Sequence, residues 1–165
     1  MTFDDLNAGD SVLLDANPLI YHFIPFPVLG PPCTRLLERI VRNEITAFTS
    51  THVLSEVAHR LMTTEAAQQF GWSSKVVERL KQDPTRIHQL SSFRKAIEEV
   101  PQLGIQILTI PAHLISAAAA LSIQYGLLTN DALVVAVMQA NGLTNIASSD
   151  ADFDRVPGLT RYAPA

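Results

Sequence analysis

A single cysteine, Cys33, stands in the chain, and there is no CxxC pair. One thiol cannot close an internal disulfide, and nothing here matches a cysteine-rich zinc site, so the composition fits a reducing, cytoplasmic setting. Cys33 follows two prolines and reads as a loop thiol rather than a nucleophile. Long apolar runs are also missing: the longest on a plausible helix, Ala132 to Met138, is too short to span a bilayer. The opening MTFDDLNAGD is acidic and polar, unlike a secretory signal, so a soluble protein with no membrane partner is expected. No GxxxxGK[ST] or GxGxxG occurs, which removes the simple nucleotide-binding readings. Ser148-Ser149 lacks a GxSxG elbow, and His52, Glu56 and His59 are not in HExxH order. Positive charge is scarce too. Twelve Lys and Arg face sixteen Asp and Glu for a net −4, so any grip on nucleic acid must be local rather than global.

What remains is a chain of 165 residues, 47% hydrophobic and 17% charged, enough for one core in a single domain spanning 1–165. Ser11 to Leu14 is an apolar run closing on Asp15, as a buried parallel strand would. Pro25 to Pro32 reads as a loop, followed by a helix from Thr34 to Asn43 with Leu36, Leu37, Ile40 and Val41 on one face. Ile45 to Thr49 is a second strand, after which Ser50 or Thr51 caps a helix whose apolar face carries Val53, Val57 and Leu61. From Glu65 to Leu103 the pattern weakens; helical pieces are expected around Ser74–Lys81 and Ser91–Val100, broken at Asp83-Pro84. Ile105 to Thr109 is a third strand, Pro111 opens an Ala-rich helix ending near Gly126, and Thr129 or Asn130 caps a very apolar helix from Asp131 to Ala140. Asn145 to Ser148 is a fourth strand and Leu159 to Tyr162 a short fifth. Alternating strands and helices imply an α/β fold with a parallel sheet covered on both faces.

Such sheets bind ligands beyond the carboxyl ends of their strands. Asp15 ends the first strand, Glu56 lies early in the helix after the second, Asp131 opens the helix before the fourth, and Asp150 follows the fourth by two residues. Each acid alone has an ordinary reading, as a turn cap, a dipole partner, a surface ion pair of Glu56 with His52 or Arg60, or an exposed loop. Together they converge on one rim. Clustered carboxylates raise one another's pKa unless a cation neutralises them, and oxygen-only ligands suit Mg²⁺ or Mn²⁺. Arg35, Arg39 and Arg42 share a helix face at i, i+4, i+7, either a solvated stripe or a phosphate-contacting edge. Phe70 and Trp72 read as packing aromatics.

The segments VLLDANPLIY (12–21), THVLSEVAHRL (51–61), YGLLTNDALVVAVMQANG (125–142) and IASSDADFDRV (146–156) resemble PIN-domain ribonucleases, particularly the VapC-like toxins of toxin–antitoxin pairs. The resemblance implies a PIN-like three-layer α/β/α fold with a central parallel sheet of four to five strands. It implies metal-dependent cleavage of RNA by Asp15, Glu56, Asp131 and Asp150, with Asp15, Asp131 and Asp150 holding metal and Asp152 as a rival or helper of Asp150. Asn17 matches a position that supports the first acid, and Thr129 or Ser148 could orient a carboxylate. An RNA substrate, a cognate antitoxin and a homodimer are the partners it suggests. Two other readings compete. One is a haloacid-dehalogenase-type phosphatase, which wants a second Asp where Asn17 stands. The other is a PIN scaffold that binds RNA or protein without cutting.

Overall fold

The computed structural model describes residues 1–165. Ser11–Leu14 forms β1, with Val12, Leu13 and Leu14 fully buried, the pattern of a strand covered on both faces. It lies at the centre of a five-stranded sheet completed by β2 (Thr46–Ser50), β3 (Gln106–Leu108), β4 (Asn145–Ala147) and β5 (Thr160–Tyr162). The order is β3-β2-β1-β4-β5, and every pairing is parallel. Leu13 sits opposite Phe48 on one side and Ile146 on the other. The chain lays β1, β2 and β3 outward in one direction, then crosses back to place β4 against β1. The point where direction reverses is therefore between the carboxyl ends of β1 and β4, the place where open parallel sheets bind ligands.

Seven α-helices cover the sheet: α1 (Ala16–Phe23), α2 (Gly30–Val41), α3 (Thr51–Phe70), α4 (Val76–Gln82), α5 (Ser92–Glu99), α6 (Ala112–Tyr125) and α7 (Thr129–Ala140). α1 packs on α2 and α3, and α3 on α5; α6 packs on α7. Those two groups make the outer layers of an α/β/α sandwich, as the sequence leads one to expect. α7 has every residue from Ala132 to Met138 buried, which explains a helix apolar on all sides. No single helix is long and apolar enough to cross a membrane.

Several boundaries differ from the sequence reading. α1 is an eight-residue helix where none was expected, with Asp15 at its N-cap position, and α2 starts at Gly30, inside the proline-rich piece. Prolines in a first turn cost no hydrogen bond, so Pro31 and Pro32 open the helix rather than prevent it. α7 begins at Thr129 with Leu128 at the cap position, so neither Thr129 nor Asn130 caps it. The weakly patterned middle is largely helical. α3 runs on to Phe70, and Glu65 accepts hydrogen bonds from the Ser91, Ser92 and Phe93 amides at 2.8–2.9 Å, pinning the start of α5. A small separate cluster of Ala66, Leu80 and Leu90 holds α4 against this end of α3, with Phe70 and Trp72 packed on it.

The arginines of the α2 stripe have local partners. Arg39 donates to the carbonyls of Phe3 and Leu6 at 3.1 and 2.7 Å and pairs with Glu44, while Arg42 pairs with the same Glu44 and Arg35 approaches Asp4. Glu44 precedes β2 and its carbonyl accepts from Gly9, which precedes β1. Arg39 and Arg42 therefore stand at the amino edge of the sheet, opposite the rim to which the acids belong, and Arg39 ties down the amino-terminal segment.

Candidate active site

At the end of β1 the Asp15 amide still donates to Ala147 of β4, at 3.1 Å, so the acid is fixed to the central strand pair. Its side chain is buried, with 9% of the residue exposed. Ser148, fully buried just past β4, donates its hydroxyl to Asp15 Oδ2 at 2.7 Å, and Asn17 Nδ2 donates to the same oxygen at 3.2 Å. Oδ1 receives no side-chain hydrogen bond. Ser148 Oγ also accepts from the Asp150 amide at 3.0 Å, so one hydroxyl orients two acid-bearing segments.

Ser50 accepts from the Val53 amide at 3.2 Å and starts α3 at the carboxyl end of β2. Val53, Val57 and Leu61 face the core, and Glu56 is left exposed on the other side of the helix. Neither His52 nor Arg60 pairs with it; no ion pair of the chain involves Glu56. Asp131 sits in the first turn of α7, half-buried. Asp150 precedes a short 3-10 turn, Ala151–Arg155, and accepts from the Asp152 amide at 2.9 Å. Asp152 is engaged by Arg155 at 2.8 Å, and Arg155 also donates to the Gly126 carbonyl in the turn before α7. That arginine links the segment carrying Asp150 to the segment leading to Asp131.

The acids feel one another's charge. The Asp131 carboxyl is pushed up to about 6 by burial first, then by Asp150, Asp15, Asp152 and Glu56. Burial likewise raises Asp15; the Ser148 hydroxyl and the Ala16 amide oppose the rise, and Glu56 and Asp150 add to it. Asp150 adds to the rise at both Asp15 and Asp131. Carboxylates from four separate chain segments thus share one field at the β1–β4 switch point.

No three Asp, Glu, His or Cys side chains are arranged as a ready metal cage. The donor set nonetheless fits a hard divalent cation: it is oxygen-only, mutually repelling and partly desolvated, and a cation would relieve each of these costs.

Of the supporting residues, Asn17 and Ser148 touch Asp15. Thr129 does not: it is exposed at the start of α7 and hydrogen-bonds none of the acids. Three residues escaped the sequence reading. Thr49, fully buried, donates to the Leu14 carbonyl at 3.0 Å and locks β2 beside Asp15. Arg155 bridges as described. Arg161 on β5 pairs with Asp154 at 2.8 Å, donates to the Ser148 carbonyl at 3.3 Å and feels the Asp150 charge. Only Thr49 left a trace, as a polar residue at the carboxyl end of the expected strand Ile45–Thr49.

Solved structures share this fold. Among curated proteins, none matches the sequence significantly. A chain in the structure of VapBC2 from Rickettsia felis, bound to a DNA fragment from its promoter, is 18% identical with a TM-score of 0.59; the match covers 94% of this chain and 99% of that one. Mycobacterium tuberculosis VapC20, described as a Sarcin-Ricin loop cleaving toxin, is 16% identical with a TM-score of 0.60, over 87% and 92% of the two chains. A toxin–antitoxin complex from Klebsiella pneumoniae gives 20% identity and a TM-score of 0.54, over 90% and 95%. At these identities the likeness is one of fold. The family model for the PIN domain matches residues 12–159, nearly the whole chain, and the protein belongs to that family.

Proposed function

We propose that the protein is a metal-dependent endoribonuclease and the toxin of a toxin–antitoxin pair. The observation that carries the reading is the shared field of Asp15, Glu56, Asp131 and Asp150 at the β1–β4 switch point. The VapC and toxin–antitoxin structures with the same fold favour RNA as substrate and an antitoxin as partner.

Asp15, Asp131 and Asp150 would hold one or two Mg²⁺ or Mn²⁺ ions. When bound, these ions supply positive charge for a phosphate oxygen and acidify a water molecule. Asp150 is the fourth acid in preference to Asp152, because its amide bonds the Ser148 hydroxyl that orients Asp15 and its side chain is in no ion pair, whereas Arg155 takes Asp152. Ser148 and Asn17 keep Asp15 in one orientation. Glu56, exposed and free of ion pairs, takes the proton of the attacking water or orients it. Water oxygen bonds to phosphorus as the P–O3′ bond breaks in line, and the departing 3′-oxygen takes a proton from solvent, giving a 3′-hydroxyl and a 5′-phosphate. The chain acts in the cytoplasm, as its lone cysteine suits, and as a homodimer in keeping with the family.

Incubation with RNA and Mg²⁺ tests the reading. Cleavage stops with EDTA and returns with Mn²⁺. Activity indifferent to chelation removes the metal mechanism, and covalent capture of a phosphomonoester on Asp15 points instead to the phosphatase reading.

A further inference from the structure

Cationic side chains are distributed very unevenly. Seven of the twelve Lys and Arg lie between Arg60 and Lys95, against three of the sixteen acids. Outside that segment every arginine is in an ion pair: Arg35, Arg39, Arg42, Arg155 and Arg161. Inside it, Arg86 and Arg94 are paired, while Arg60, Lys75, Arg79, Lys81 and Lys95 pair with no acid. The unpaired Lys and Arg of an otherwise acidic protein are thus confined to the stretch from the middle of α3 through α4 to α5.

Two of these cations meet in one place. Arg60 and Lys75, with His59, line a groove of about 460 Å³ between α3 and α4. Glu78 is its one acidic lining residue. The floor includes Thr63, whose hydroxyl donates back to the His59 and Arg60 carbonyls at 3.0 Å. Arg79, by contrast, lies over the Trp72 ring at 5.5 Å. Glu56, His59, Arg60 and Thr63 fall at i, i+3, i+4 and i+7, one continuous face of α3. The groove's lining therefore begins about one helical turn, roughly 5.4 Å along the axis, beyond the position of Glu56. Lys75 is held at φ 54°, a left-handed conformation uncommon for a residue with a side chain.

We propose that this α3–α4 groove, with Arg60, Lys75 and His59, binds the phosphate backbone of the RNA strand that continues beyond the acidic rim. The proposal rests on the nuclease reading for the identity of its ligand. Charge complementarity favours it: a polyanion reaching an acidic site needs a cationic path, and this groove is the one that adjoins the acids along a shared helix face. The contacts are to phosphates, so they set affinity and register and carry no sequence preference.

Binding is measured by fluorescence anisotropy on the full chain carrying Asp15→Asn, to prevent cutting, with single-stranded RNAs of about four and about sixteen nucleotides. Arg60→Ala with Lys75→Ala weakens the long RNA tenfold or more at low salt. It lowers the slope of log affinity against log salt by about 1.4, two phosphates' worth for a single strand, and leaves the short RNA within twofold. Arg60→Lys with Lys75→Arg retains binding, and Arg35→Ala with Arg42→Ala changes nothing. Lys75→Gly removes the ammonium while suiting the positive φ, so it keeps the parent melting temperature yet weakens the long RNA. Unchanged affinity and slope in the double alanine variant, equal loss on both RNAs, or no binding of the long RNA by the parent overturns the proposal. If the groove variants weaken binding but the chain with Asp15 intact cuts no RNA, the groove stands and the nuclease reading falls.

Discussion

The Ser148 hydroxyl donates to Asp15 Oδ2 at 2.7 Å, joining residues 133 positions apart across the central strand pair. This bond fixes the innermost acid of the site, and the same hydroxyl accepts from the Asp150 amide. Removing it by Ser148→Ala leaves a folded protein whose RNA cleavage falls about 10–100-fold, with a matching rise in the Mn²⁺ needed for half-maximal activity. A metal titration of cleavage checks both. Wild-type kinetics in the variant would mean that Asp15 is held well enough by Asn17 and the backbone.

Metal-free protein has a pH dependence of opposite sign at two carboxylates. Asp131 is raised from 3.8 to about 6, so between those values the folded state holds more protons than the unfolded one, and stability falls as pH rises. Asp131→Asn removes that loss. At pH 7 it raises stability by about 1 kcal/mol after discounting for solvent screening, or roughly 2–4 °C in Tm, while abolishing cleavage. Calorimetry at pH 4 and pH 7 measures it; a Tm lower than wild type at pH 7 contradicts the repulsive field.

Glu65 behaves in the other direction. Three backbone amides of the α5 start hold its carboxyl below the ordinary value of 4.5 despite burial, so its stabilisation is present above that pH and is lost as pH falls through the depressed value. Glu65→Ala costs about 1.5–3 kcal/mol at neutral pH. Hydrogen exchange of α5 amides reports whether the loss is local.

Arg39→Ala separates the structural from the functional reading of the α2 stripe. Loss of its bonds to the Phe3 and Leu6 carbonyls and of the Glu44 pair costs about 1–3 kcal/mol, whereas Arg35→Ala stays within about 0.5 kcal/mol. Urea unfolding measures both. Cleavage per folded molecule is unchanged in either variant.

These particulars show which features the residue pattern carried. Strand runs such as Val12–Leu14 were legible because burial on both faces leaves an unbroken apolar stretch. The acid positions followed from where those strands end. α1 was not legible: Pro18 biases the preceding Asn17 away from helical backbone, and tertiary burial of Ala16, Leu19 and Ile20 overrides that preference. Between Glu65 and Leu103 the local core is only Ala66, Leu80 and Leu90, too small to print a period. The role of Arg39 depends on carbonyls 33 and 36 residues away, which no local spacing can reveal. Arg155 and Arg161 escaped for the same reason.

The most direct measurement incubates the purified chain with total RNA and Mg²⁺ and maps new 5′ ends, with Asp15→Asn as control. The account predicts discrete new ends bearing 5′-phosphate, present only with divalent metal and absent in the variant. No new ends with the wild-type chain, or the same ends with Asp15→Asn, contradict it.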